Sequence, residues 1–187
     1  MKFSKMAAAV AAVILSGTSV LAMAADQGGG KVNFKGNIND SPCSISSGSL
    51  EQVVEFDSIS NSALKNGGKS ALKPFSIKLN GCDLGSLKSA TVTFTGAPSA
   101  ANPDLLGFQS GTAKGASLAI ADRNGTLIKL GSSSDPQNLS DGESALNFTA
   151  YLQGDMLAPE TEGGEAKPAT VVAGTFDTVA NFTLAYQ

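Results

Sequence analysis

Gly174-Thr175-Phe176-Asp177-Thr178-Val179-Ala180-Asn181-Phe182-Thr183-Leu184-Ala185-Tyr186-Gln187 is the stretch on which the fold turns. Every second position from Gly174 gives Phe176, Thr178, Ala180, Phe182, Leu184 and Tyr186. Between them stand Thr175, Asp177, Val179, Asn181, Thr183, Ala185 and Gln187. Large apolar groups hold the first row from Phe182 onward, and Thr, Asn and Gln dominate the second. Side chains alternate along a strand, so this is the pattern of a half-buried β-strand. No turn and no returning strand follow it. One of its edges is therefore expected to lack a partner in its own chain, a liability on an apolar strand unless another strand covers it.

The candidate cover lies at the other end. Gly28, Gly30, Val32, Phe34, Gly36 and Ile38 keep strict period two, with Gly29, Lys31, Asn33, Lys35 and Asn37 between them. This predicts a strand with one apolar or bare face. Glycine weakens a strand interior and often marks the close approach of another backbone. The same pattern also fits a frayed first strand of a sandwich. Residues 25–30 are polar and glycine-rich and are expected to be flexible alone.

Ahead of this arm, Lys2 and Lys5 flank Phe3, residues 6–21 are mostly Ala, Val, Ile and Leu, and Ala22-Met23-Ala24 supplies small residues. That predicts a signal peptide over residues 1–24, cleaved before Ala25. The apolar run is short for a membrane span and is interrupted by Ser16, Gly17, Thr18 and Ser19. No later stretch is long or apolar enough to span, so the mature chain is expected to be exported and not inserted in a membrane. Removing 24 residues from 187 leaves 163, the size of one ordinary domain. Without Lys2 and Lys5 there are 11 basic against 16 acidic residues, a net charge of −5. That balance, without a basic cluster, argues against nucleic acid as partner.

The two cysteines, Cys43 and Cys82, lie in an exported chain without CxxC spacing, which reads as a disulfide rather than a metal site. Histidine and tryptophan are absent. The commonest general base and zinc ligand are thus missing. Glu160, Glu162 and Glu165 crowd a Gly/Pro-bearing loop with no apolar neighbours to shift a pKa, so they read as a solvated run rather than paired catalytic carboxylates. No Gly-x-Ser-x-Gly occurs. No catalytic residue, metal or cofactor is expected.

Along the chain, strands are predicted at residues 44–48 (ending in a turn), 52–56, 72–80, 90–96, 116–121, 126–130 and 146–152. Asp122-Arg123-Asn124-Gly125 between two β-type segments is a hairpin signal. Residues 66–69, 98–106, 132–142 and 159–168 read as loops. No segment keeps helical period over three turns, so the chain is all-β with sandwich-like strand spacing.

Several features now coincide: Gly28-Gly29-Gly30-Lys31-Val32-Asn33-Phe34-Lys35-Gly36, Ser41-Pro42-Cys43-Ser44-Ile45, Asn80-Gly81-Cys82, Gly174, and the ending with Phe182, Leu184 and Tyr186. Together with the leader they resemble the structural pilins of chaperone–usher fimbriae, major rod subunits of the P-pilus and type 1 kind above all. The resemblance implies an incomplete immunoglobulin-like β-sandwich lacking its last strand, completed by a donor strand from another subunit or from a periplasmic chaperone. It implies a donor-strand extension at residues 25–37, with Gly28, Gly30, Val32, Phe34 and Gly36 as inserting or close-approach positions. It implies a pilin domain at residues 38–187, whose acceptor groove and chaperone-binding strand use Gly174, Phe176, Phe182, Leu184 and Tyr186. Cys43 and Cys82 would form the family's disulfide. The implied partners are identical subunits, a periplasmic chaperone and an outer-membrane usher, and the implied location is the cell-surface fimbrium. A minor or adaptor pilin shares the arm and the groove. A monomeric carbohydrate-binding sandwich would want aromatic platforms, and only Tyr151 and Tyr186 accompany the missing tryptophan.

Overall fold

The computed structural model describes residues 29–36, 38, 40–159 and 163–187. The chain divides into two compact units, Met1–Ile38 and Asn39–Gln187. In the first, the described residues form no regular element, and Val32 and Phe34 are 74% and 89% exposed. The strand expected from their alternation is absent because a strand exists only through a ladder with a neighbour, and period two by itself supplies no hydrogen bond. Gly28 and the expected leader lie outside the described residues.

The second unit is built on strands β1 (Ser44–Ile45), β2 (Lys73–Cys82), β3 (Ser89–Gly96), β4 (Ser110–Gly111), β5 (Ala116–Asp122) and β6 (Gln137–Asn138). It continues with β7 (Gly142–Gly154), β8 (Met156–Leu157), β9 (Lys167–Pro168), β10 (Phe176–Asp177) and β11 (Ala180–Tyr186). Two short helical pieces interrupt them. These are α1 (Ser47–Leu50) and a 3-10 segment at Asn61–Gly67, kinked where Asn66 takes φ 56°.

Two antiparallel sheets face each other. The first runs β1-β2-β7-β5 and the second β11-β3-β6. Their inner faces follow the alternation in the sequence. Ile77 and Leu79 of β2, Leu146, Phe148, Ala150 and Leu152 of β7, and Val92 and Phe94 of β3 are buried in one cluster. Phe75, Phe94 and Phe148 join the layers, with Phe94 meeting Phe148 edge-on at 5.1 Å and Phe75 lying 5.7 Å from Phe148. Burying each such ring contributes roughly 1.5–3 kcal/mol.

The outer face of the first sheet is covered over β5 and the end of β7, while Lys78 and Asn80 of β2 and Asn147 of β7 are exposed. Tyr151, which alternation assigns to the far side of β7, is 1% exposed and packs with Leu105, Ala119 and Ala121. The cover comes from the loop after β3, where Ser99 and Leu105 close a turn and Leu106 exchanges two 2.8 Å backbone bonds with Leu118 of β5.

Two predicted strands are corrected. Residues 52–56 form no ladder, and a cavity of about 460 Å³ lined by Gln52–Glu55 and Lys73–Ser76 separates them from β2. Residues 126–130 make only isolated rungs, Asp122 N–H to Thr126 O and Ile128 N–H to Ile120 O, both 2.9 Å. The chain then leaves β5 for Asp104, which accepts from Leu130 N–H at 3.2 Å and pairs with Lys129 at 2.9 Å. The turn itself forms as the Asn124-Gly125 pair predicts, with Gly125 at φ 87°. The amides of Thr126 and Asn124 both donate to Asp122 Oδ1 at 2.8 Å. Those backbone bonds, Thr126's first, hold the Asp122 carboxyl below the usual carboxylate range.

Cys43, immediately before β1, is bonded to Cys82 at the end of β2, with Cα atoms 4.1 Å apart. The staple holds a two-residue edge strand whose own ladder is only Ser44 to Asn80 and Ile45 to Leu79.

Candidate functional site

The C-terminal strand sets the site. β11 pairs along its whole length with β3, from Ala180 opposite Gly96 to Tyr186 opposite Ala90. It is the outermost strand of its sheet, so its second edge carries no ladder. Along β11 the half-buried and exposed residues alternate strictly, with Phe182, Leu184 and Tyr186 inward.

Beside that free edge lies a groove of about 1410 Å³. Its floor is core: Ile77, Phe94, Leu106, Leu118, Ile120, Ala150 and Leu152. One lip is the unladdered stretch after α1, including Glu51, Val54, Phe56 and Ile59; the other runs from Val171 through Gly174 and Phe176 to Phe182. Between these lips the described residues make no backbone hydrogen bond. The lips meet through side chains, Phe56 lying edge-on to Phe176 at 5.8 Å, with Phe108 stacked on Phe176 at 4.7 Å.

Gly174, Phe176 and Phe182 therefore line the groove, whereas its lining stops short of Leu184 and Tyr186, which pack on the core farther along β11. At Gly174 a side chain has no room, since a Cβ would overlap Thr112 Oγ1 and lie 2.6 Å from Ala113 N. Thr112 and Ala113 N–H both donate to Thr175 O at 2.9 Å, which brings the two segments this close. Gly30, Val32, Phe34 and Gly36 all lie in the first unit and are exposed, and the described residues there form no strand. Phe56, Phe108, Ile59 and Val171 belong to the groove although the sequence reading did not single them out. Only Phe56 carried a signal, from its alternation with Val54.

Tyr186 Oη is shut off from solvent and has no hydrogen-bond partner among the described residues. A buried hydroxyl left unpaired costs about 1–3 kcal/mol. Tyr186→Phe is therefore expected to hold or raise the melting temperature, by about 2–4 °C per kcal/mol relieved. A lower melting temperature would mean that the hydroxyl has a partner. Elsewhere, Ser117 Oγ lies 2.7 Å from Ser99 Oγ and 2.5 Å from Asp155 Oδ1. Ser117 is 1% exposed and away from the groove lining, so this hydroxyl chain ties a loop to the sheet and is closed to substrate. Among the described residues, no cluster of three His, Cys, Asp or Glu is placed to hold a metal ion.

This architecture has relatives. The family model described as "Fimbrial protein" matches residues 32–187. The chain is 55% identical over 178 residues to the Fimbria A protein of Serratia marcescens, covering 95% of this chain and 96% of that one. It is 42% identical to the Major MR/P fimbria protein of Proteus mirabilis over the full length of both. Among solved structures, the P pilus rod subunit PapA superposes with a TM-score of 0.63 at 32% identity, covering 79% of this chain and 100% of that one. A chaperone–usher pilus structure superposes at 0.66 with 34% identity, covering 86% and 97%. With its two-layer sandwich one strand short, the chain belongs to the fimbrial protein family, as a major pilin of the chaperone–usher kind.

Proposed function

We propose that copies of this chain join head to tail, the arm at residues 25–37 of one copy entering the groove of the next and supplying its missing strand. The observation that carries this is the coexistence of an unpaired β11 edge over an apolar groove with a period-two arm whose Val32 and Phe34 are exposed. Strand addition draws affinity from main-chain hydrogen bonds and register from side-chain pockets. A contact between two different surfaces of identical subunits does not close on itself and propagates a filament. Before assembly, a periplasmic chaperone covers the groove, and an outer-membrane usher exchanges it for the next arm on the way to the cell surface. The role is structural, with no catalysis.

The reading is tested with a synthetic peptide of residues 25–38 and the mature chain. Saturating peptide is expected to stabilise the chain by about 2.7 kcal/mol at a hundredfold excess over Kd. A scrambled peptide should do nothing. No shift at any concentration would refute the arm-in-groove pairing.

A further inference from the structure

Charge on the groove is lopsided. Its lining includes Glu51, Glu55, Asp57 and Asp177 against a single cation, Lys114. Asp57 is engaged by Lys73 at 3.2 Å, whereas Glu51, Glu55 and Asp177 are in no salt bridge among the described residues. Three of the carboxylates sit on one lip at period two, with Val53 completing the exposed row 51, 53, 55, 57, while Val54 and Phe56 are half-buried. The arm carries the complementary feature. Lys31 and Lys35 alternate with Val32 and Phe34, so a strand that turns the apolar pair inward turns both lysines outward. Lys31 to Lys35 is about 13 Å along a strand, and Glu51 to Glu55 is the same.

Resting on the head-to-tail reading above, we propose that Lys31 and Lys35 of the entering arm seat against Glu51 and Glu55 of the accepting copy, and that this acidic lip sets register and speeds encounter. The match holds whichever way the arm runs, because both pairs are four residues apart. Sliding the arm by two residues toward Asp57 puts one lysine beside Val53 and the other beside a carboxylate already held by Lys73. Sliding it by one turns Val32 and Phe34 to solvent. The charged row thus penalises the even slips that the apolar pockets alone tolerate. Exposed opposite charges on neighbouring strands act mainly on association rate and are weakened by salt.

The test follows binding of a fluorescent peptide of residues 25–38 to the mature chain by stopped flow, at low and high salt. The K31E/K35E peptide is expected to associate about tenfold more slowly at low salt, with the gap closing at high salt. E51K/E55K should slow the native peptide similarly and restore the rate of the reversed one. D135K/E143K, an equal charge change at exposed sites off the groove lining, should leave the rate unchanged. Native and reversed peptides binding at equal rates would overturn the charge row while leaving the head-to-tail reading intact. Equal slowing by D135K/E143K would also overturn it, reducing the effect to net charge. No binding by any peptide would overturn both.

Discussion

Subunits lacking residues 25–34 are expected to build no filament at all, while their second unit still folds and still accepts an arm. The deletion removes Val32 and Phe34, whose burial in a partner would contribute roughly 1.5–3 kcal/mol each, together with the backbone of the donated strand. None of the core residues of the sandwich is touched, so the melting curve of the truncated chain should match that of the full mature chain with its groove empty. Co-expression gives a sharper result. A truncated copy can receive an arm but cannot give one, so each filament can hold at most one, always at the same end. Electron microscopy with an affinity label on the truncated copy checks this. Labels scattered along shafts, or normal rods from truncated subunits alone, would contradict the arm assignment.

The parts of this fold that were legible are those where one face of a strand meets the core. β2 and β11 alternate inward and outward residues, and the period-two pattern places the ends of β2 and β3 within two residues. By contrast, β7 begins four residues before its expected start, and the expected terminal strand is split into β10 and β11. What stayed hidden depended on distant segments. Tyr151 reads as solvent-facing, yet Leu105, more than forty residues earlier, folds over it. Residues 52–56 alternate like a strand, yet they lie beside a gap and find no ladder. The helical turns at Ser47–Leu50 and Asn61–Gly67 are too short for helical period to register. In the groove, Phe176 and Phe182 could be read from alternation. Phe108 and Val171 could not, because their place depends on where β4 and β10 meet.

Removing the disulfide is expected to cost the chain a large part of its stability. Cys43 and Cys82 are 39 residues apart, and closing a loop of that size stabilises by about 4 kcal/mol in the chain-entropy model. That is a large share of the roughly 5–15 kcal/mol typical of a folded domain. The local structure gives little in reserve. β1 contributes two rungs, and Asp83 N–H to Pro42 O at 2.8 Å is the adjoining tie. Beyond β1, Ser46 N–H reaches Lys78 O at 2.9 Å and Ser49 Oγ accepts from Lys78 N–H at 3.0 Å. Losing the staple loosens this edge and, through it, the lip that begins at Glu51. The C43A/C82A double variant should unfold at markedly lower denaturant than the oxidised chain, and its loss should be partly recovered by saturating arm peptide. An unfolding free energy within about 0.5 kcal/mol of the parent's would show that the chain-entropy model fails for this loop.

Among the described residues, β11 is laddered along its whole length on one edge and carries no ladder on the other. β5 is covered by Leu106 and by residues 126–128, and β3 by β6 on its far side. In polymer terms, a subunit with one socket and one plug is a monomer of functionality two. Such units grow strictly linear strings with two unlike ends, and they cannot branch or gel. Any sideways bundling must then draw on other surfaces, and capping a single kind of terminus is enough to halt elongation there.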